Sequence, residues 1–424
     1  MPSTAAPRRV DVLVVGAGPA GLAAAARLAA AGAGRVEVLE REQQPGGVPR
    51  HCAHGGFGTW TRPLTGPRYA RRLTDAAERA GAVLRTGVSV LDWAPAGPVL
   101  HTTGPRGPET VEARAVILAT GACERPRAAR LVPGTRPAGV WTTGEVQRAV
   151  HLFGQHIGVR AVVVGAEDVS YAAADTLRAA GAEVVALVTE HPRARTSRAR
   201  ARAALLRHGV PLLTRTTVAE LLGHGRLSGV RVRHRDGRTA VLPCDTVVFT
   251  GDFVPEHELA RRGGLVLDPG TRGPAVDGAL HTSRPGVLAA GDLLHAVERA
   301  GTAAHEGTLA AEAVLDFLAG APWPGPGLPI TVEAPLCRIT PNRLVPATRP
   351  ARYVLRTAVP LTGPVLQVRQ DGRLLHRERL GPGTARPHRP LTLSARWHDL
   401  VDPEGGAVRV ETRPGGPPAR DGER

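Results

Sequence analysis

The stretch from Val10 to Arg41, VDVLVVGAGPAGLAAAARLAAAGAGRVEVLER, constrains the fold more than any other part of the chain. An apolar run from Val10 to Val15 reads as a buried strand. The Ala- and Leu-rich segment ending near Gly32 reads as a helix, and Val36 to Leu39 as a second strand closed by Glu40. Between the first strand and the helix stand Gly16, Gly18 and Gly21, in G-x-G-x-x-G spacing. Gly16 permits a tight turn, Gly18 lets the backbone approach a pyrophosphate, and Gly21 lets helix and strand pack closely. The helix N-terminus beyond Gly18 offers free N–H groups and the positive end of a dipole to phosphate. Glu40, followed by Arg41, is placed to accept hydrogen bonds from a ribose 2′-OH. Strand, glycine turn, helix, strand and acid in that order predict a dinucleotide-binding βαβ unit.

Three later stretches bear on which dinucleotide. EREQQPGG carries Gly46 and Gly47 behind the acid. AVILATGA, Ala115 to Ala122, reads as strand then turn with Thr120 and Gly121. TSRPGVLAAGD, Thr282 to Asp292, ends in Gly291 and Asp292. In this order they resemble the motifs of the pyridine nucleotide-disulfide oxidoreductase family of two-dinucleotide-domain flavoproteins, over Val10 to about Leu318. The resemblance implies FAD held by Gly16, Gly18, Pro19, Ala20, Gly21, Glu40, Arg41, Gly47, Thr120, Gly121, Gly291 and Asp292, with Val90 near the adenine. It assigns Asp292 to the ribityl chain. A helix opening near Gly307 and Thr308 is expected to stabilise negative charge on the reduced ring.

The middle of the chain repeats the plan. RAVVVGAEDVSYAAADTLRAAGAEVVALVTE, Arg160 to Glu190, is again strand, turn, helix and strand, where the resembled family holds its NAD(P)-binding domain. Gly165 survives, but Glu167 replaces the second glycine, Ser170 the third, and Asp168 adds a further carboxylate. Carboxylates suit a helix dipole yet repel phosphate. The domain therefore reads either as a decayed nucleotide site or as an atypical working one for NAD(P).

The fold expected is α/β. An FAD-binding Rossmann-like domain (1–150 and 245–322) carries an inserted NAD(P)-binding-like Rossmann domain (151–244), which closes in a hairpin at Asp236-Gly237. Beyond Gly320 the composition shifts to Pro, Arg and short alternating runs, which predicts a small C-terminal antiparallel β domain (323–412) with a hairpin at Asp371-Gly372. Residues 413–424 read as a disordered tail.

The formal charge of +16 comes without a single lysine, and aromatics are only 3%. This is a chain-wide arginine bias with little for base stacking, so nucleic acid is not expected as a partner. The densest run, Arg193 to Gly209, reads as a solvated helix face. Cys52, Cys123, Cys244 and Cys337 contain no C-x-x-C pair, which argues against a disulfide framework or zinc ribbon and for a reducing cytoplasm. Arg8-Arg9 ahead of an apolar run imitates an export signal, but the run holds the nucleotide fingerprint and is too short for a membrane span. No membrane association and no metal site are expected.

The loop PGGVPRHCAHGGFG, Pro45 to Gly58, has one cysteine where disulfide reductases of the resembled family carry a pair, so dithiol exchange is not expected from it. His51 or Cys52 faces either the flavin or a substrate, or both merely fill the loop. Proton-transfer candidates are His51, His54, His295, His305 and Glu306. The expected activity is an FAD-dependent oxidoreductase moving a hydride between a small organic substrate, such as an amine or amino acid, and flavin. Electrons would pass to a partner protein or partner subunit, or to oxygen. The alternatives are an NAD(P)H-dependent reductase of a small iron–sulfur protein or quinone, and a non-catalytic FAD-binding subunit of a complex.

Overall fold

The first strand, Arg8–Val15, is buried on both faces from Val12 to Val15, as an apolar run in the middle of a parallel sheet must be. In a computed structural model of the chain it pairs in parallel with Val36–Glu40 on one side and Gly107–Leu118 on the other. The structure describes residues 6–414, apart from 60, 96, 297, 382, 384 and 388. Val83–Thr86 extends the sheet beyond Val36–Glu40. The long strand Gly107–Leu118 changes partners along its length: its first half forms an antiparallel meander with Val99–Gly104 and Ser89–Trp93, and its last three residues run parallel to Val287–Ala289. The helix Pro19–Ala30 covers this sheet and packs on the helix Ala300–Leu318 through small side chains.

That second helix begins seven residues before the expected start at Gly307. Gly307 is instead an interior residue, where an added Cβ would lie 1.9 Å from the Ala20 carbonyl oxygen. Close helix–helix approach, and not a helix start, explains a glycine there.

The chain forms two compact units, one of residues 1–47, 68–122 and 255–424, the other of 48–67 and 123–254. The second holds a five-stranded parallel sheet in the order Val140–Thr142, Thr246–Phe249, Arg160–Val164, Glu183–Val188, Leu212–Leu213. Its companion is an antiparallel meander, Thr216–Leu222, Gly229–His234 and Thr239–Pro243, turning at Asp236-Gly237. Because Val140–Thr142 joins this sheet and Thr143–His151 is the helix that follows it, the inserted unit starts at Cys123 and not at 151. The arginine run forms the helix Arg198–His208, none of whose residues is buried.

The C-terminal β region belongs to the first compact unit. Three strands, Leu336–Thr340, Arg352–Thr357 and Leu391–Ser394, make an antiparallel sheet, and five more make a second. Tyr353 and Trp397 stack at 4.8 Å in the core they share with Leu366, Val368, Leu393 and Val410. One pairing departs from the expected antiparallel pattern: Leu328–Val332 runs parallel to Val408–Arg413. These are the first and last strands of the region, so no hairpin dictates their relative direction. Arg413 closes that last strand, and the expected disordered tail otherwise falls at 415–424, outside the described residues. Among the described residues no helix is long and apolar enough to cross a membrane.

Candidate functional site

The three fingerprint glycines answer to different constraints. At Gly16, φ is +104°, and a Cβ would sit 2.4 Å from the Ala119 carbonyl oxygen. A Cβ on Gly21 would lie 1.9 Å from the Gly16 carbonyl. At Gly18, by contrast, φ is −80° and a Cβ would meet no protein atom within 4 Å. Neither backbone conformation nor internal packing demands a glycine at 18, so what remains is open space above a helix N-terminus. Pro19 occupies the first helical position, where its missing N–H costs nothing.

Around this turn gather the other residues named from sequence. Glu40 is buried, and its two carboxylate oxygens accept the amides of Ala17 (2.8 Å) and Glu42 (2.9 Å). Both oxygens are thereby oriented and each keeps a further lone pair. Gly47 folds back over the fingerprint, and a Cβ on it would be 2.8 Å from Gly18 Cα. Thr120 donates its hydroxyl to the Glu256 carbonyl at 2.9 Å, and Glu256 returns its amide to the Gly121 carbonyl. A Cβ on Gly121, like one on Gly18, would point into open space. Arg41 is largely exposed, 3.9 Å from Glu256. Val90 is partly buried against the core, two residues after Val88, whose amide bonds the Glu40 carbonyl. A Cβ on Gly291 would lie 2.8 Å from Ala20 Cβ, which brings the Gly291–Leu293 turn and Asp292 to the same place.

Asp292 accepts the Glu298 amide at 3.2 Å. Burial pushes its carboxyl up to about 6; that amide and His295 act in the opposite sense. Glu306 holds the turn from the helix side. One oxygen accepts the Gly291 amide (3.0 Å), and the other meets His295 Nε2 at 2.7 Å. Burial alone would lower the His295 pKa, but Glu306 raises it above the ordinary value. His305 is exposed.

The loop carrying His51, Cys52 and His54 is packed within its own unit. Val48–Pro67 belongs to the second unit, where Cys52 directs its thiol to Gln147 Oε1 at 3.5 Å. Burial pushes that thiol up to about 12, with Glu124 adding to the effect. His51 is buried too and held near pKa 4, first by burial and then by Arg148, Arg50 and His151. Both side chains are buried by contacts within their own unit. Among the described residues no cluster of His, Cys, Asp and Glu has the makings of a metal site.

The second fingerprint is closed on itself. Glu167 caps the helix Asp168–Ala179 with its own carboxylate, which accepts the Ala166 amide at 3.0 Å. The Glu167 amide donates to Ser170 Oγ at 3.1 Å, and that oxygen meets Thr250 Oγ1 at 2.6 Å. The following segment is tied across the turn: the Arg195 amide bonds the Ala166 carbonyl, Arg195 lies 4.0 Å from Glu167, and Thr196 bonds Asp168. The Ala166 amide, which a phosphate could otherwise take, already serves a carboxylate.

Sequence reasoning missed the partners that fix Asp292. Glu298 is local but has no motif, and Arg356, which pairs with it, is 58 residues away.

The model of a family described as pyridine nucleotide-disulphide oxidoreductase matches residues 10–307. An opine oxidase subunit of Rhizobium meliloti is 30% identical over 317 residues, which span 66% of this chain and 58% of that protein's length. The chain thus spans less than two thirds of that relative. A ferredoxin–NADP reductase of Salinispora tropica is 33% identical over 298 residues, 67% of this chain and 86% of its own. Among solved structures, the thioredoxin reductase of T. acidophilum superposes with a TM-score of 0.62 at 25% identity, covering 74% of this chain and all of that one.

Proposed function

Because the chain belongs to the pyridine nucleotide-disulphide oxidoreductase family, a family of FAD-dependent oxidoreductases, we propose that it oxidises a small organic amine or amino acid and does not draw electrons from NAD(P)H. FAD, when bound, supplies a two-electron acceptor for a hydride equivalent. The chain's own residues supply the cradle. The 16–21 turn and the helix start at Pro19 would hold the pyrophosphate, and the spare lone pairs of Glu40 a ribose. Gly47, Thr120 and Gly121 would line the same opening, with Asp292 accepting from a ribityl hydroxyl. The open space at Gly18, where neither φ nor a protein atom requires a glycine, supports this assignment.

The observation that carries the choice of electron donor is the Glu167 carboxylate on the Ala166 amide. A nicotinamide dinucleotide would have to displace it, at the cost of the cap and of like-charge repulsion. Similarity to the Rhizobium meliloti opine oxidase subunit supports an amine-type donor, with electrons passing on to a partner protein. A second reading, an NAD(P)H-dependent reductase of a small iron–sulfur protein, is favoured by the 86% coverage of the Salinispora tropica ferredoxin–NADP reductase. The test is anaerobic mixing of the FAD-loaded protein with a panel of opines, N-methyl amino acids and simple amines, following flavin absorbance. Bleaching by a member of the panel is expected. No bleaching by any of them would refute the proposal.

A further inference from the structure

Residues 323–413 lie beyond the span matched by the family, which ends at 307. We infer that this C-terminal β region is a working part of the cofactor site, with Arg356 and Arg338 as positioning residues for Asp292. The inference rests on the reading of Asp292 as the ribityl acceptor.

The Asp292 carboxylate takes its orientation from the amide of Glu298, six residues on, so what fixes Glu298 fixes Asp292. The Glu298 carboxylate, 6% exposed, forms an ion pair with Arg356, 9% exposed, on the strand Arg352–Thr357. On the neighbouring strand Leu336–Thr340, Arg338 donates Nη2 to the Ala296 carbonyl at 2.8 Å. The two arginines are register partners across antiparallel strands. Like charges directly opposite destabilise a sheet, and a buried cation costs more still. Burial, with Arg356 adding to it, draws the Arg338 guanidinium below its ordinary pKa. A sheet that served only as a cover would have no use for such a pair. Here the arginines reach Ala296 and Glu298, and the Arg338 charge is opposed by Glu298 and Asp292.

The arginines act from a fixed platform. Asn342 Oδ1 accepts the Val276 amide at 2.8 Å, and the Val276 carbonyl accepts the amides of Asn342 and Arg343. A Cβ on Gly278 would lie 1.7 Å from the Thr348 carbonyl oxygen, so the two backbones meet without a side chain between them. With Glu306 gripping Gly291 from the helix side, the 291–298 turn is held at both ends.

The test compares wild type with Arg356→Lys, Arg338→Met, the charge-neutral pair Glu298→Gln with Arg356→Met, and Asp292→Ala. Apoprotein melting temperature, FAD affinity by quenching of flavin fluorescence, and the midpoint potential of the bound flavin are measured for each. The neutral pair strands no buried charge and is expected to melt close to wild type while binding FAD about tenfold more weakly and shifting the potential. Arg338→Met is expected to shift both in the same sense, and Arg356→Lys to restore most of the affinity. Unchanged affinity and potential in the neutral pair and in Arg338→Met would overturn the inference. So would losses that follow melting temperature alone. If Asp292→Ala binds FAD as wild type does, the reading of Asp292 fails on its own account, separately from the arginines.

Discussion

Replacing Gly18 by alanine separates the proposed cofactor cradle from ordinary packing. The added methyl meets no protein atom within 4 Å, and φ of −80° is open to any residue, so the apoprotein has little reason to notice it. Gly18 is the N-cap of the first helix, where alanine costs below about 1 kcal/mol. If a pyrophosphate approaches the backbone there, the methyl stands in its place and removes at least one charge-assisted amide–phosphate bond, worth about 1.5–3 kcal/mol. FAD affinity should fall by about 10- to 100-fold. Gly21→Ala supplies the contrast: its methyl would lie 1.9 Å from the Gly16 carbonyl and must move backbone, so it should cost the apoprotein upward of about 1–3 kcal/mol. The assay is flavin fluorescence titration of each apoprotein beside its thermal unfolding curve. Wild-type FAD affinity in Gly18→Ala would rule out a pyrophosphate against Gly18, and wild-type stability in Gly21→Ala would rule out the close packing at Gly21.

Further outcomes follow from the second unit and the cysteines. Glu167→Ala should lose the helix cap, lowering stability by about 0.5–2 kcal/mol in chemical denaturation. The same change should raise NADH affinity about tenfold or more by calorimetry, because a carboxylate no longer opposes the phosphates. Native protein should react with a thiol reagent at exposed Cys123 and Cys337, whereas buried Cys52 and Cys244, whose thiols are pushed up to about 12, should react only after unfolding. His51 is held near pKa 4 in the folded chain against 6.5 when unfolded, so between those values the unfolded chain binds the extra proton. Stability should therefore fall as pH drops from about 6.5 to about 4, by as much as about 3 kcal/mol from this group. His51→Gln should flatten that part of the denaturation-versus-pH profile relative to wild type.

The parts of the molecule that local pattern governs were legible in the chain. Val10 to Glu40 carries its own periodicity, turn glycines and closing acid, and Asp236-Gly237 and Asp371-Gly372 announce their hairpins by turn chemistry alone. What failed to show was decided by contacts distant in sequence. Gly307 reads as a helix start because nothing local reveals that Ala20 will press against it. Val140–Thr142 reads as part of the first domain because its partner, Thr246–Phe249, comes about a hundred residues later. His51 and Cys52 sit behind the first fingerprint in sequence, yet their burial comes from the unit that contains Gln147 and Arg148. The grip on Asp292 came from a region that the family match does not reach, and a lone Arg356 in a chain this rich in arginine gives no signal of its own.

With the Glu167 carboxylate across its second dinucleotide fingerprint, this flavoprotein is proposed to take its electrons from an organic donor. Anaerobic stopped-flow mixing of the FAD-loaded protein with NADH and, separately, NADPH tests it most directly. The flavin band is expected to stay unbleached by either nucleotide, and rapid bleaching by one of them would contradict the claim.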